Sequence, residues 1–158
     1  TAKVAGTEMG IVDPEPSFSA CFGEAFLPLH PFTYAKMLAE LCEKHDCSVW
    51  LMNTGWSGGK YGVGKRMDIN VTRGVLDAIH DGSLVKAKYE TMPGFNLAIP
   101  VDVEGLPNDL LRPRDSWADK AGYDKQLNKL AKQFIENFKN YEDGTPAEVV
   151  QKGGPTAN

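Results

Sequence analysis

The stretch that most limits how this chain can fold is residues 48–82, SVWLMNTGWSGGKYGVGKRMDINVTRGVLDAIHDG. Its apolar run Val49, Trp50, Leu51 and Met52 ends in Asn53-Thr54-Gly55, a turn signal. A loop with Gly58, Gly59, Gly62 and Gly64 follows, and then the basic pair Lys65-Arg66. From Asn70 onward, apolar Val71, Val75, Leu76 and Ile79 recur on one helical face, and Gly82 sits where a helix ends. The pattern predicts a buried strand over 49–52, a glycine loop and a helix, the layout with which α/β proteins hold nucleotides.

Gly59 and Gly64-Lys65 fit most of the phosphate-binding pattern G-x-x-x-x-G-K, but Arg66 stands where that pattern requires Ser or Thr. A guanidinium has only donors and repels a dication, so it cannot take the hydroxyl's place on magnesium. The helix also begins too late to aim its N-terminus into the loop. Two readings of the loop stay open: a flexible connection, or a nucleotide-contacting loop that is not the phosphate cradle.

Elsewhere the sequence describes an ordinary globular chain. Its 158 residues suffice for one domain, or part of one, with a real core. Seventeen basic against 21 acidic residues give a net charge of -4, which argues against a nucleic-acid surface. No stretch has transmembrane length and no signal peptide is visible, so no membrane partner is expected. Cys21, Cys42 and Cys47 are odd in number and lack framework spacing, which favours a reducing compartment. Cys42, His45 and Cys47 do not form a standard zinc pattern, and no metal ligands are assigned in this segment.

Taken in order, residues 1–10 read as a loop. Residues 18–29 are apolar but broken by Gly23 and Pro28, suiting a strand or a buried irregular segment. Residues 31–44 read as a helix with Pro31 in its first turn, Thr33 able to cap, and a stripe of Met37, Leu38, Leu41 and Cys42. Strands are expected at 85–89 and 96–101 around a turn at Met92-Pro93-Gly94, and a surface connection at 105–113. Residues 120–141 form the longest amphipathic pattern, with Leu127, Leu130, Ala131, Phe134 and Phe138 on one face, expected to pack on the sheet. Thr145 to Glu148 makes a capping box for a last short helix ending at Gly153. The fold class expected is α/β, a mixed sheet flanked by helices.

Several separated blocks together resemble one family. TAKVAGTE at 1–8, FSACFGEAFLPLHP at 18–31, NTGW at 53–56, GKRM at 64–67 and Thr72-Arg73 are similar to the C-terminal part of ATP-dependent phosphoenolpyruvate carboxykinases. FNLAIP at 95–100, the PR-x-x-WADK run at 113–120 and FIENF at 134–138 agree. The resemblance implies that residues 1–158 are the C-terminal part of a nucleotide-binding domain. In it, 1–10 would be a segment of the active-site lid, 48–82 the nucleotide-contacting unit and 120–141 the long helix. It implies a cytoplasmic, gluconeogenic enzyme that turns oxaloacetate and ATP into phosphoenolpyruvate, carbon dioxide and ADP, using magnesium and manganese. By the same resemblance Arg66, Met67 and Thr72 contact ATP on its purine and ribose side. A guanidinium can stack on a purine, Met offers a soft apolar wall, and Thr supplies a hydroxyl.

The family's phosphate loop, metal ligands and substrate-binding Arg and Tyr are expected upstream of this segment, which would be a partner of the chain. No catalytic residue is therefore assigned here, and the 158-residue chain alone is expected to be inactive. Two readings of other classes stand beside this one: a stand-alone nucleotide-binding module without chemistry, and a structural or oligomerising domain.

Overall fold

Proline lacks a backbone N–H and so suits a helix's first turn, and α1 (Pro31–Lys44) starts on it. The computed structural model describes residues 2–3, 9–21 and 23–157. Before α1 lie β1 (Ala2–Lys3), paired antiparallel with β2 (Glu15–Pro16), and a 3-10 turn at Glu24–Phe26. After it come β3 (Trp56–Ser57), β4 (Lys65–Arg66), α2 (Ile69–His80), α3 (Ser83–Lys86), β5 (Lys88–Thr91) and β6 (Ala98–Asp102). The chain ends with α4 (Asn108–Leu111), α5 (Pro113–Ser116), α6 (Lys120–Phe138), a 3-10 stretch at Lys139–Gly144, and α7 (Ala147–Lys152).

Helices and strands are mixed, as expected, but the sheet differs. Among the described residues the strands form three separate two-stranded antiparallel pairs rather than one mixed sheet. The apolar run 49–52 is not a strand: Leu51 is 83% exposed and Val49 65%. A strand exists only where a neighbour accepts and donates its backbone hydrogen bonds, and none of the three described strand pairs includes this run. The described residues of 18–29 form no strand, only the 3-10 turn at Glu24–Phe26, and Phe26 is exposed rather than buried.

The chain divides into two units, residues 1–51 with 136–153, and residues 52–135 with 154–158. In the first, α1 is capped by His30, not Thr33: the His30 Nδ1 accepts from the Phe32 N–H at 3.2 Å. Nε2 therefore carries the ring proton. It lies 3.6 Å from Asp143 Oδ1, too long for a hydrogen bond. The ring also meets Tyr141 edge-on, with centroids 6.4 Å apart, and so ties α1 to the 3-10 stretch. The capping box does not form either. Thr145 Oγ1 donates to the Tyr141 carbonyl at 2.7 Å, and α7 begins after Pro146 with no side-chain cap. A hydroxyl satisfied by the preceding turn is not available to the following helix.

In the second unit the buried apolar side chains are Ala78, Leu84, Val103, Tyr123 and Ala131. β5 and β6 form a hairpin whose turn uses the left-handed backbone of Gly94 and Asn96 and is closed by Met92 N–H to the Leu97 carbonyl. The expected strands thus move slightly, because 83–86 coil as α3 before β5 begins. The long helix meets this hairpin at its turn: Phe134 packs edge-on against Phe95 at 5.5 Å. Its stripe is only half covered, Phe134 being 42% exposed. The connection 105–113 is not bare loop, since α4 and the start of α5 lie in it. Arg114 on α5 grips Asp124 on α6 through two hydrogen bonds of 2.9 and 3.0 Å. Those bonds and the guanidinium charge hold the Asp124 carboxyl below its ordinary value.

The His30 contact yields a test. A methyl at Gly144 would sit 2.5 Å from the imidazole, far inside van der Waals contact. Gly144→Ala should therefore lower stability by about 1–3 kcal/mol as an overpacking change, measured by urea unfolding of the intact protein. Gly144→Ala combined with His30→Ala should lose much less beyond His30→Ala alone.

Candidate functional site

The glycine loop folds as a hairpin. Ser57 pairs with Lys65 and Trp56 with Arg66, and the Met67 N–H donates to the Gly55 carbonyl at 3.0 Å. Within the loop Gly58 and Gly62 take positive φ, +77° and +84°, where a side chain would strain the backbone. Gly64 is required for another reason. A Cβ there would lie 2.3 Å from the Gly59 carbonyl oxygen and 2.7 Å from that of Ser57. The two arms close only if that position carries hydrogen.

This geometry excludes a phosphate cradle. The Val63 and Gly64 N–H groups turn inward to the Lys60 carbonyl, at 3.0 and 2.8 Å, instead of pointing at an anion. Lys65 lies in β4 rather than at a helix N-terminus. The N-terminus of α2 is already occupied, because Asp68 caps it by accepting from the Asn70 N–H at 2.7 Å. α2 thus begins one residue before Asn70 and closes at Gly82, which is left-handed at φ +78°.

The three residues expected to contact a nucleotide fall at the single corner where β4 turns into α2. Arg66 is exposed, on the strand position opposite Trp56. Directly opposed residues share one face of a strand pair, so Arg66 shares its face with Trp56, whose indole meets Tyr61 edge-on at 5.5 Å. Met67 is half-buried and next in line. Thr72 stands in the first turns of α2, half-buried, its Oγ1 3.4 Å from the Asp68 carbonyl. Of the three only Arg66 is exposed; Met67 and Thr72 are half-buried, and the Thr72 hydroxyl donates to the Asp68 carbonyl.

The lid expected over residues 1–10 rests mainly on Thr1 and residues 4–8, which lie outside the described residues. Among the described residues no three His, Cys, Asp or Glu side chains are placed to hold a metal ion. Trp56 was not singled out from sequence as a neighbour of Arg66, although the even spacing of ten residues across a glycine loop was a signal for opposed hairpin positions.

The phosphoenolpyruvate carboxykinase family model matches residues 1–109. The phosphoenolpyruvate carboxykinase (ATP) of Campylobacter jejuni strain 81-176 is 54% identical over 155 residues, 98% of this chain and 30% of that protein. That of Candida glabrata is 51% identical, over 97% of this chain and 28% of its own length. That of Thermus thermophilus is 49% identical, over 99% and 30%. The chain thus spans about 30% of the length of the bacterial relatives it matches.

The hairpin makes a local prediction. Gly64→Ala should open the β3–β4 pair, and amide exchange at Met67 should rise toward the unprotected rate, because its bond to Gly55 depends on that closure. Gly23→Ala, which meets nothing within 4 Å, should leave that amide unchanged.

Proposed function

This chain belongs to the phosphoenolpyruvate carboxykinase (ATP) family, and we propose that it forms the purine and ribose side of the ATP site of such an enzyme. The observation that carries this reading is the corner at which Arg66, Met67 and Thr72 come together. An exposed guanidinium, an apolar thioether and a hydroxyl along one bend suit a planar base joined to a sugar. The residues are the ones the family resemblance implies, and the hairpin supplies a reason for their placement.

The relatives are named phosphoenolpyruvate carboxykinase (ATP), and the reaction proposed for the whole protein is the one the family resemblance implies: oxaloacetate and ATP give phosphoenolpyruvate, carbon dioxide and ADP, proposed here to serve gluconeogenesis in the cytoplasm. Losing carbon dioxide leaves an enolate that takes the terminal phosphoryl group. Magnesium and manganese would organise the phosphates and the enolate through ligands upstream of this segment. The role of this segment is binding. Arg66 stacks on the base, Met67 walls it and Thr72 meets the ribose or base edge. Residues 1–10 supply part of the lid that excludes water from the enolate. In this reading 48–82 is the nucleotide-contacting unit and the whole chain is the C-terminal part of the nucleotide-binding domain. The exposed apolar groups at 37–41 and 49–52 then pack on the upstream segment of the same enzyme, as surfaces of that kind require. No helix of the described residues is long and apolar enough to cross a membrane. The 158-residue chain alone is inactive, because it brings no phosphate loop to the reaction.

The test is made in the full-length enzyme. Stacking of a guanidinium on a purine contributes on the order of 0.5–2 kcal/mol. Arg66→Ala should accordingly raise the KM for ATP roughly 2- to 30-fold. The base lies far from the transferred phosphoryl group, so kcat and the KM for oxaloacetate should change little. Arg66→Lys should recover only part of the loss, because an ammonium keeps the charge without the flat face. A collapse of kcat with an unchanged KM for ATP would move Arg66 to the chemical centre and contradict the assignment.

A further inference from the structure

The first turns of α6 separate two recesses, one charge-balanced and one with unpaired positive charge, both inside the unit formed by 52–135 with 154–158. One, of about 420 Å³, holds Arg112 and Arg114. Both guanidiniums there are already answered. Arg112 lies 3.2 Å from Glu90 and 3.9 Å from Asp115, and Arg114 is held by both oxygens of Asp124. That side has no positive charge left over.

The other recess, of about 440 Å³, lies between the glycine hairpin and α6, and its walls include Gly58, Gly59, Lys60, Trp117, Lys125 and Lys129. Among the described residues, none of the three lysines has a carboxylate within ion-pair distance. The acid beside them, Asp119, is committed to the helix: its Oδ1 accepts from the Gly122 N–H at 2.8 Å and caps α6. Lys125 and Lys129 stand four residues apart on one helical face, a like-charged spacing that repels unless an anion lies between. Such a cluster is conspicuous in a chain with 21 acidic and 17 basic residues. The Gly58 N–H, donating to Ser116 Oγ at 3.2 Å, anchors the loop on α5 and keeps Lys60 opposite the helix.

We propose that this recess is a binding site for a small phosphate-bearing polyanion, with Lys60 on the loop and Lys125 and Lys129 on the helix as its ligands. Lysine ammoniums are compact, mobile point charges suited to phosphate oxygens approaching from several directions. Trp117 on the wall adds an apolar surface that excludes water from one side. The site is distinct from the Arg66 corner, none of whose three residues lines it. A bound anion would bridge loop and helix and steady the hairpin that carries Arg66.

The test is titration calorimetry of the full-length enzyme with inorganic pyrophosphate, the nucleotide site being saturated with ADP. Wild type should show a binding event that weakens as KCl is raised. Lys125→Glu/Lys129→Glu should weaken it by about tenfold or more, and Lys60→Gln by roughly threefold, the losses expected when charge-assisted contacts are removed. Lys60→Gln leaves the helix untouched, so it reads the site even where the helix variant unfolds. No binding to the ADP-saturated wild type would overturn the proposal. So would an affinity unchanged in a folded double variant or in Lys60→Gln.

Discussion

The close approach of Gly64 to the carbonyls of Ser57 and Gly59 is the constraint on which the rest of the site depends. It lets β3 and β4 pair in register, which puts Arg66 opposite Trp56 and the Met67 amide on Gly55. That fixes where the chain leaves the hairpin, and Asp68 then starts α2 two residues later. A single missing side chain so determines the direction of a guanidinium and the position of a hydroxyl six residues on. The effect is steric and local, which is why it operates in a segment with few fully buried residues.

The helices were legible in the sequence because their apolar spacing is set by the backbone itself. α1 has the expected bounds, 31–44, and α2 and α6 differ by one to three residues at an end. The caps were not legible. His30 acts as an N-cap through a ring nitrogen, outside the usual Ser, Thr, Asp and Asn set, and Thr145 spends its hydroxyl on the preceding turn. Tyr123 was missed as a buried residue, though it lies four positions before Leu127 and simply continues the α6 stripe by one turn.

The sheet was the least legible part, for a physical reason. An apolar run such as 49–52 states that a segment wants burial, but a strand also needs a partner for its backbone, which the run cannot name. The glycine loop misled in the opposite direction. Its resemblance to a phosphate loop drew attention to a following helix, whereas the small residues serve to bring two backbone arms together. Arg66, the residue that breaks the phosphate-loop pattern, is the exposed one of the three residues at the corner between β4 and α2.

Charge is also arranged by neighbourhood rather than by composition. Around α6 the arginines are neutralised in pairs by Glu90, Asp115 and Asp124, while the lysines on the loop side are not. The first arrangement stiffens the join between α5 and α6, and the second leaves positive charge beside the hairpin. The Arg66 corner therefore sits on a loop whose one end is shaped by sterics and whose outer wall is shaped by charge.

The central claim is that the base of ATP rests at the corner where β4 meets α2. Photolabelling of the full-length enzyme with 8-azido-ATP, followed by peptide mapping, tests it most directly, because the azide is carried on the purine itself. The account predicts that label falls within residues 64–73 and is displaced by ATP. Displaceable label confined to peptides outside this chain would contradict it.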